Sequence, residues 1–151
     1  MRWLRLPILL LVAAVFIAVT VLLARAFTVN GAEQSAIETV LRAEARGEPA
    51  GVIAGISHCA QTPACVARAH ATAAALKRPG KVVVIQLDPS AGFSVSSTTG
   101  TARVAWRIGS SLPIVQCVRV RRGGNLISGY HVELLKISRR IPSDSDCSAN
   151  Y

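Results

Sequence analysis

The feature that most limits what this chain can become is an unbroken apolar run near its start. From Ile8 to Ala24 only Thr20 is polar. Counted from Leu6 the run is 19 residues. As an α-helix it would measure about 28 Å, close to the ~30 Å of a bilayer's hydrocarbon core. It has no polar face, so a buried helix of a soluble domain is the disfavoured reading. Arg2 and Arg5 precede it, with Trp3 between them. Positive charge resists translocation, so the N-terminus is expected in the cytoplasm and the rest of the chain outside. Arg25 opposes this mildly, but a single arginine can snorkel to the outer headgroups. Residues 1–26 therefore read as an uncleaved signal anchor that meets the membrane through residues 6–24. The competing reading is a signal peptide cleaved after Ala26, because Ala24-Arg25-Ala26 has the small-x-small form of a cleavage site. Cleavable apolar cores are usually 7–15 residues, shorter than this one.

Setting that segment aside changes the composition. The whole chain of 151 residues is 51% hydrophobic and yet carries a net charge of +9. That apolar content excludes a disordered chain. Arg2, Arg5 and Arg25 are three of the 17 basic residues, and the other 14 face 8 acidic ones. The chain beyond the anchor is an ordinary, moderately basic domain. Arginine far outnumbers lysine and alanine is abundant, which resembles the codon bias of a high-GC bacterium.

All four cysteines, Cys59, Cys65, Cys117 and Cys147, come after the apolar run. An even count in an exported domain predicts two disulfides. Three pairings are possible. Cys59–Cys65 is favoured because only a short loop separates them, and Cys117–Cys147 would tie the polar tail to a strand. The metal alternative is zinc held by His58, Cys59, Cys65 and His70. It lacks a C-x2-C pair and a natural fourth ligand. No cofactor is expected.

After a linker at 27–31, a helix is expected over Ala32–Arg46. Asn30 would be its N-cap and Glu33 the capping-box partner. Ile37, Val40, Leu41 and Ala45 form one apolar stripe. Gly47 stops it, and Pro49 opens a short helix to Gly55. Thr62 and Pro63 start a third helix, whose face is Val66, Ala69, Ala73 and Leu76; Pro79-Gly80 ends it. From there the period changes to two. Strands are expected at Lys81–Leu87, Thr101–Ile108, Pro113–Arg122 and Leu126–Ser138. Ser90–Gly100 would be a polar stretch with a brief strand at Phe93–Val95. Gly123-Gly124-Asn125 would turn the last hairpin, and Gly129 would mark a bulge. Residues 139–151 read as a polar tail. Helices followed by an antiparallel meander make an α+β domain over 32–138.

This order resembles the nuclear transport factor 2-like superfamily, whose members include SnoaL-like polyketide cyclases. The phrase Leu41-Arg42-Ala43-Glu44-Ala45-Arg46-Gly47-Glu48 looks like the first helix of that fold, and the helix-then-strand layout matches. The small anchored, exported actinobacterial members, mostly without assigned activity, look most similar. A cystatin-like curved-sheet domain has the same pieces. The resemblance implies three helices packed on a curved sheet, in a cone that encloses a pocket. Enzymes of the superfamily place an Asp/His pair there. His70, Asp88 and His131 are the candidates, although each has a plainer reading as a packing or strand-end residue.

Motifs for serine hydrolysis, phosphate loops, dinucleotide binding and zinc proteolysis are absent. Arg103 and Arg107 share one face of a strand, and Arg119 and Arg121 share a face of the next. With Arg122 they would form a basic patch for anionic lipid or wall polymer, or simply a solvated sheet face. Nucleic acid is not expected as a partner outside the membrane, and no aromatics interleave the patch for base stacking. The expected function is a non-enzymatic, anchored binding or interaction module of the cell envelope, with an envelope protein as one candidate partner. The alternative is a cyclase- or isomerase-type enzyme.

Overall fold

The computed structural model describes residues 2–89, 97–125, 129–142 and 147. The order is α1 (Arg2–Arg46), α2 (Pro49–Gly55), a single 3-10 turn (Cys59–Gln61), α3 (Pro63–Leu76), β1 (Val82–Asp88), β2 (Ser97–Ile108), β3 (Ile114–Asn125) and β4 (Gly129–Ile137). The four strands form one antiparallel sheet in the order β1-β2-β3-β4. The domain is α+β.

The apolar segment and the first domain helix are one element. α1 runs 45 residues, so residues 27–31 are helix and not linker. Asn30 is inside α1, where an N-cap role has no meaning, and Glu33 is wholly buried. Nothing at 27–31 breaks a helix except Gly31, and one glycine costs only about 1 kcal/mol. The helix ends as expected at Gly47, with φ at 72°. Gly47 N–H bonds the Glu44 carbonyl, and Glu48 N–H bonds that of Ala43, which closes the last turn. Ile37, Val40, Leu41 and Ala45 are all buried.

α1 is the helix that lies on the sheet, chiefly against β4. α2 and α3 pack mainly on α1 and on each other. Close approach of α2 depends on Gly55, where a Cβ would overlap the Val40 side chain. α3 starts at Pro63, as its sequence predicts, but the Thr62 hydroxyl donates to the His58 carbonyl and does not cap the helix.

The strands extend further than their sequence suggests. β2 begins at Ser97, inside the polar stretch, because Thr98, Thr99 and Gly100 pair with Arg122, Arg121 and Val120. The hairpin residues Gly123, Gly124 and Asn125 belong to β3 and pair with His131, Tyr130 and Gly129; the expected turn there does not form. Gly129 is paired and not bulged. The bulge on β4 falls at Leu135, where Arg119 faces Lys136 but Val120 faces Leu134. A second irregularity falls at Ile85 of β1. The brief strand at Phe93–Val95 lies outside the described residues.

Inward positions on β2 and β3 are Ala102, Val104, Trp106 and Ile108 with Ile114, Val118 and Val120, all buried in the core they share with α1. On the other face Val115 and Cys117 are also buried, because the tail crosses them. Ile141 bridges to Val115, and Cys147 bonds Cys117.

Both favoured disulfides are present: Cys59–Cys65, with Cα atoms 5.2 Å apart, and Cys117–Cys147, 5.6 Å apart. The zinc alternative loses two of its ligands to the first. That bond closes a short loop, so the chain-entropy estimate for its removal is about 2 kcal/mol. A Cys59→Ala, Cys65→Ala chain is expected to lose that much in denaturant unfolding. A loss below a few tenths of a kcal/mol would show the loop to be held by packing alone.

Candidate functional site

The interior contains a row of polar side chains where an apolar core would be cheapest. The α1 stripe of 33, 37, 40, 41, 44 and 45 places Glu33 and Glu44 at its two ends, spaced by threes and fours from the apolar members. β3 presents residues 114, 116, 118, 120 and 122 to α1, which brings Gln116 and Arg122 inward.

At one end, Trp106 Nε1 donates to Gln116 Oε1 at 2.7 Å. Gln116 Nε2 then donates to Glu44 Oε2 at 3.0 Å and to the Ser138 carbonyl at 2.9 Å. Ser138 Oγ accepts from Cys117 N–H at 2.9 Å. One amide thus joins sheet, helix and tail. Glu44 is fully buried, and its Oε1 has no hydrogen-bond partner. Burial pushes this carboxyl up to about 7, and the Gln116 amide and nearby Thr72 hydroxyl hold it back only in part. The Thr72 hydroxyl gives its own proton to the carbonyls of Arg68 and Ala69. The geometry therefore suits a neutral acid.

At the other end, Arg122 Nε donates to Glu33 Oε2 at 2.7 Å, and Nη2 donates to Asn30 Oδ1 at 3.2 Å. The Arg122 side chain is 15% exposed and Glu33 is 0% exposed. Arg122 therefore faces α1 and leaves the expected basic patch. Alternation along β3 places it opposite to Arg119 and Arg121, and the buried Glu33 carboxylate holds it there.

The remaining patch residues share the outer face. Arg119 and Arg121 pair with Thr101 and Thr99. Arg103 pairs with Cys117, a diagonal neighbour of Arg119, and Arg107 pairs with Val83 on β1. Glu133 lies 3.5 Å from Arg121 and dilutes the charge.

The three acid–base candidates do not converge. His70 is exposed on α3, Asp88 is exposed at the end of β1, and His131 is exposed on β4. Asp88 accepts from Gln86 Nε2 on its own strand. β1 and β4 are opposite edges of the sheet, three strand spacings or about 14 Å apart. Among the described residues no group of three metal-ligating side chains forms.

One further feature leaves no local signal in the sequence. A cleft of about 250 Å³ opens between α2, α3 and the edge of β4. Val52, Ile56, Ala69 and Ile137 form its apolar walls, and Cys59 and Cys65 contribute to it. Arg68 and Lys136 also line it, with no acidic residue among the described ones. It lies beside the point where Ser57 N–H caps the Leu134 carbonyl at 2.7 Å. Its volume is just below the ~300 Å³ of the smaller ligand pockets, enough for one ring or a short apolar chain.

No protein-family model, curated protein or solved structure matches the chain.

Proposed function

We propose that this chain is a membrane-anchored, non-enzymatic binding module of a bacterial cell envelope. Its N-terminus is cytoplasmic and its domain, a nuclear transport factor 2-like cone, is extracytoplasmic. The two edge-strand bulges favour the curvature such a cone needs. The observation that carries the reading is that α1 is at once the apolar span and the core helix of a doubly disulfide-bonded domain. Oxidised cysteines belong outside the cytoplasm, and Pro7–Ala24 is exposed along its whole length. The cleft between α2, α3 and β4 is the ligand seat. Its apolar walls suit a ring or a short apolar chain. The exposed positions of His70, Asp88 and His131 leave the cyclase alternative without an acid–base pair.

A photo-crosslinking residue at Ala64, on the cleft lining, tests location and binding together. In cells the chain is expected in the membrane fraction, with Met1 retained and a discrete adduct at position 64. A chain starting at Phe27 in the soluble fraction would overturn the anchor. An anchored chain without an adduct would overturn the cleft as the seat.

A further inference from the structure

α1 and β3 are tied together at two heights. Gln116 bonds Glu44 at one, and Arg122 bonds Glu33 and Asn30 at the other. Between these ties the helix advances eleven residues, about 17 Å, and the strand six, about 20 Å. Such similar lengths mean that the two elements run side by side with a modest crossing angle. β3 therefore points toward the apolar span as its numbering rises. Two ties also stop α1 from turning about its axis against the sheet.

This fixes how far the sheet stands from the membrane. From Glu33 to Ala24, the outer end of the span, α1 needs nine residues, about 14 Å. From Arg122 to Asn125, the last residue of β3 paired with β4, the strand descends three residues, about 10 Å. The paired end of the hairpin is then about 4 Å above the hydrocarbon boundary, within a headgroup layer about 5–7 Å deep. α1 is helical throughout, so no flexible segment absorbs the difference.

We infer that the domain stands on the membrane on the paired end of its β3–β4 hairpin, where Gly123, Gly124 and His131 sit at the lipid headgroups as a second contact beside the span. The chemistry of that end is compatible. Gly123 and Gly124 expose backbone without a bulky apolar group. A Cβ on Gly123 would come within 2.9 Å of the His131 imidazole, which lies across the hairpin. The half-exposed Arg121 stands two pairs further up. Height and not charge sets this contact, so it survives salt that screens electrostatic binding.

The inference rests on the anchored reading, and one experiment separates the two. The full chain is placed in phosphocholine nanodiscs containing a headgroup-nitroxide lipid. The amide signals of Gly123, Gly124 and His131 are expected to lose at least half their intensity, also in about 0.5 M salt. Those of Lys81, Ser110 and Ser138, at the opposite end, keep theirs. A Gly-Ser-Gly insertion after Thr28 breaks α1 between span and sheet, and should restore the hairpin signals at least two-fold. Hairpin signals that never broaden, or that stay broadened after the insertion, would overturn the inference. An acyl-chain nitroxide reports the span: broadening of Leu10–Leu22 without the hairpin sinks the docking alone, and no broadening there sinks the anchor.

Discussion

Replacing Glu44 with glutamine is expected to stabilise this protein at pH 8 by about 3 kcal/mol and to remove much of its pH dependence. The carboxyl is ordinary in the unfolded chain, at 4.5, and is raised by burial to about 7 in the fold. Between those values the folded state holds a proton that the unfolded state has released. Stability therefore falls as pH rises from about 4.5 to about 7, at roughly 1.4 kcal/mol per pH unit, and is flat above. The contribution is fully present in acid and lost in alkali, opposite to a carboxylate held in an ion pair. Glu44→Gln keeps the shape. Its carbonyl can accept from Gln116 as the carboxyl oxygen does, and it carries no charge into the buried site. The measurement is denaturant unfolding of the full chain in micelles at several pH values. The difference between wild type and variant isolates this group from every other carboxylate. Equal stabilities at pH 8, or a constant difference from pH 5 to pH 8, would refute a neutral Glu44.

The glutamate is within reach of the sequence, and its meaning is not. Position 44 falls seven residues after Ile37, on the same stripe as Val40 and Leu41. Periodicity alone marks it as inward. A charged residue on such a stripe is easily read as its wet margin, because burial depends on what covers the stripe. Here the cover is Gln116, brought seventy-two residues through the chain by strand register. The same limit applies to Arg122. Alternation separates it from Arg119 and Arg121, yet a run of arginines looks like one patch until an opposite charge is found on the facing helix. Local signals suffice where one residue decides the geometry: Gly47 ends α1, Pro63 begins α3, and Cys59 and Cys65 are close enough to bond. They do not suffice for elements set by pairing. The turn chemistry of Gly123-Gly124-Asn125 loses to three more strand pairs, and a linker is expected at 27–31 only because the apolar segment and the domain have different compositions. Nothing local could show the cleft, since its walls come from three elements. His70, Asp88 and His131 draw interest by residue type alone, and residue type does not carry convergence.

Arg122 is the side chain whose loss should cost most. Glu33 is wholly buried on α1, and Arg122 supplies it with a charge-assisted hydrogen bond from Nε and an ion pair from Nη2. Arg122→Ala leaves a buried carboxylate with its main countercharge gone. Removing one partner of a buried pair typically costs about 3–5 kcal/mol, much more than the pair itself contributes over an apolar replacement. The expected order comes from that asymmetry. Arg122→Ala is severe. Arg122→Met with Glu33→Leu recovers most of the loss, because the stem of the arginine and the volume of the glutamate are replaced without leaving a charge behind. Arg107→Ala, on the exposed outer face, changes stability by less than about 0.5 kcal/mol. Unfolding of the three variants and wild type in the same micelles gives the comparison. If Arg122→Ala were as mild as Arg107→Ala, the pair would be ornamental. If the double variant were as unstable as Arg122→Ala, the defect would be lost packing and not an orphaned charge. A severe single variant with a recovered double one identifies Arg122 as the bolt that sets the sheet against α1.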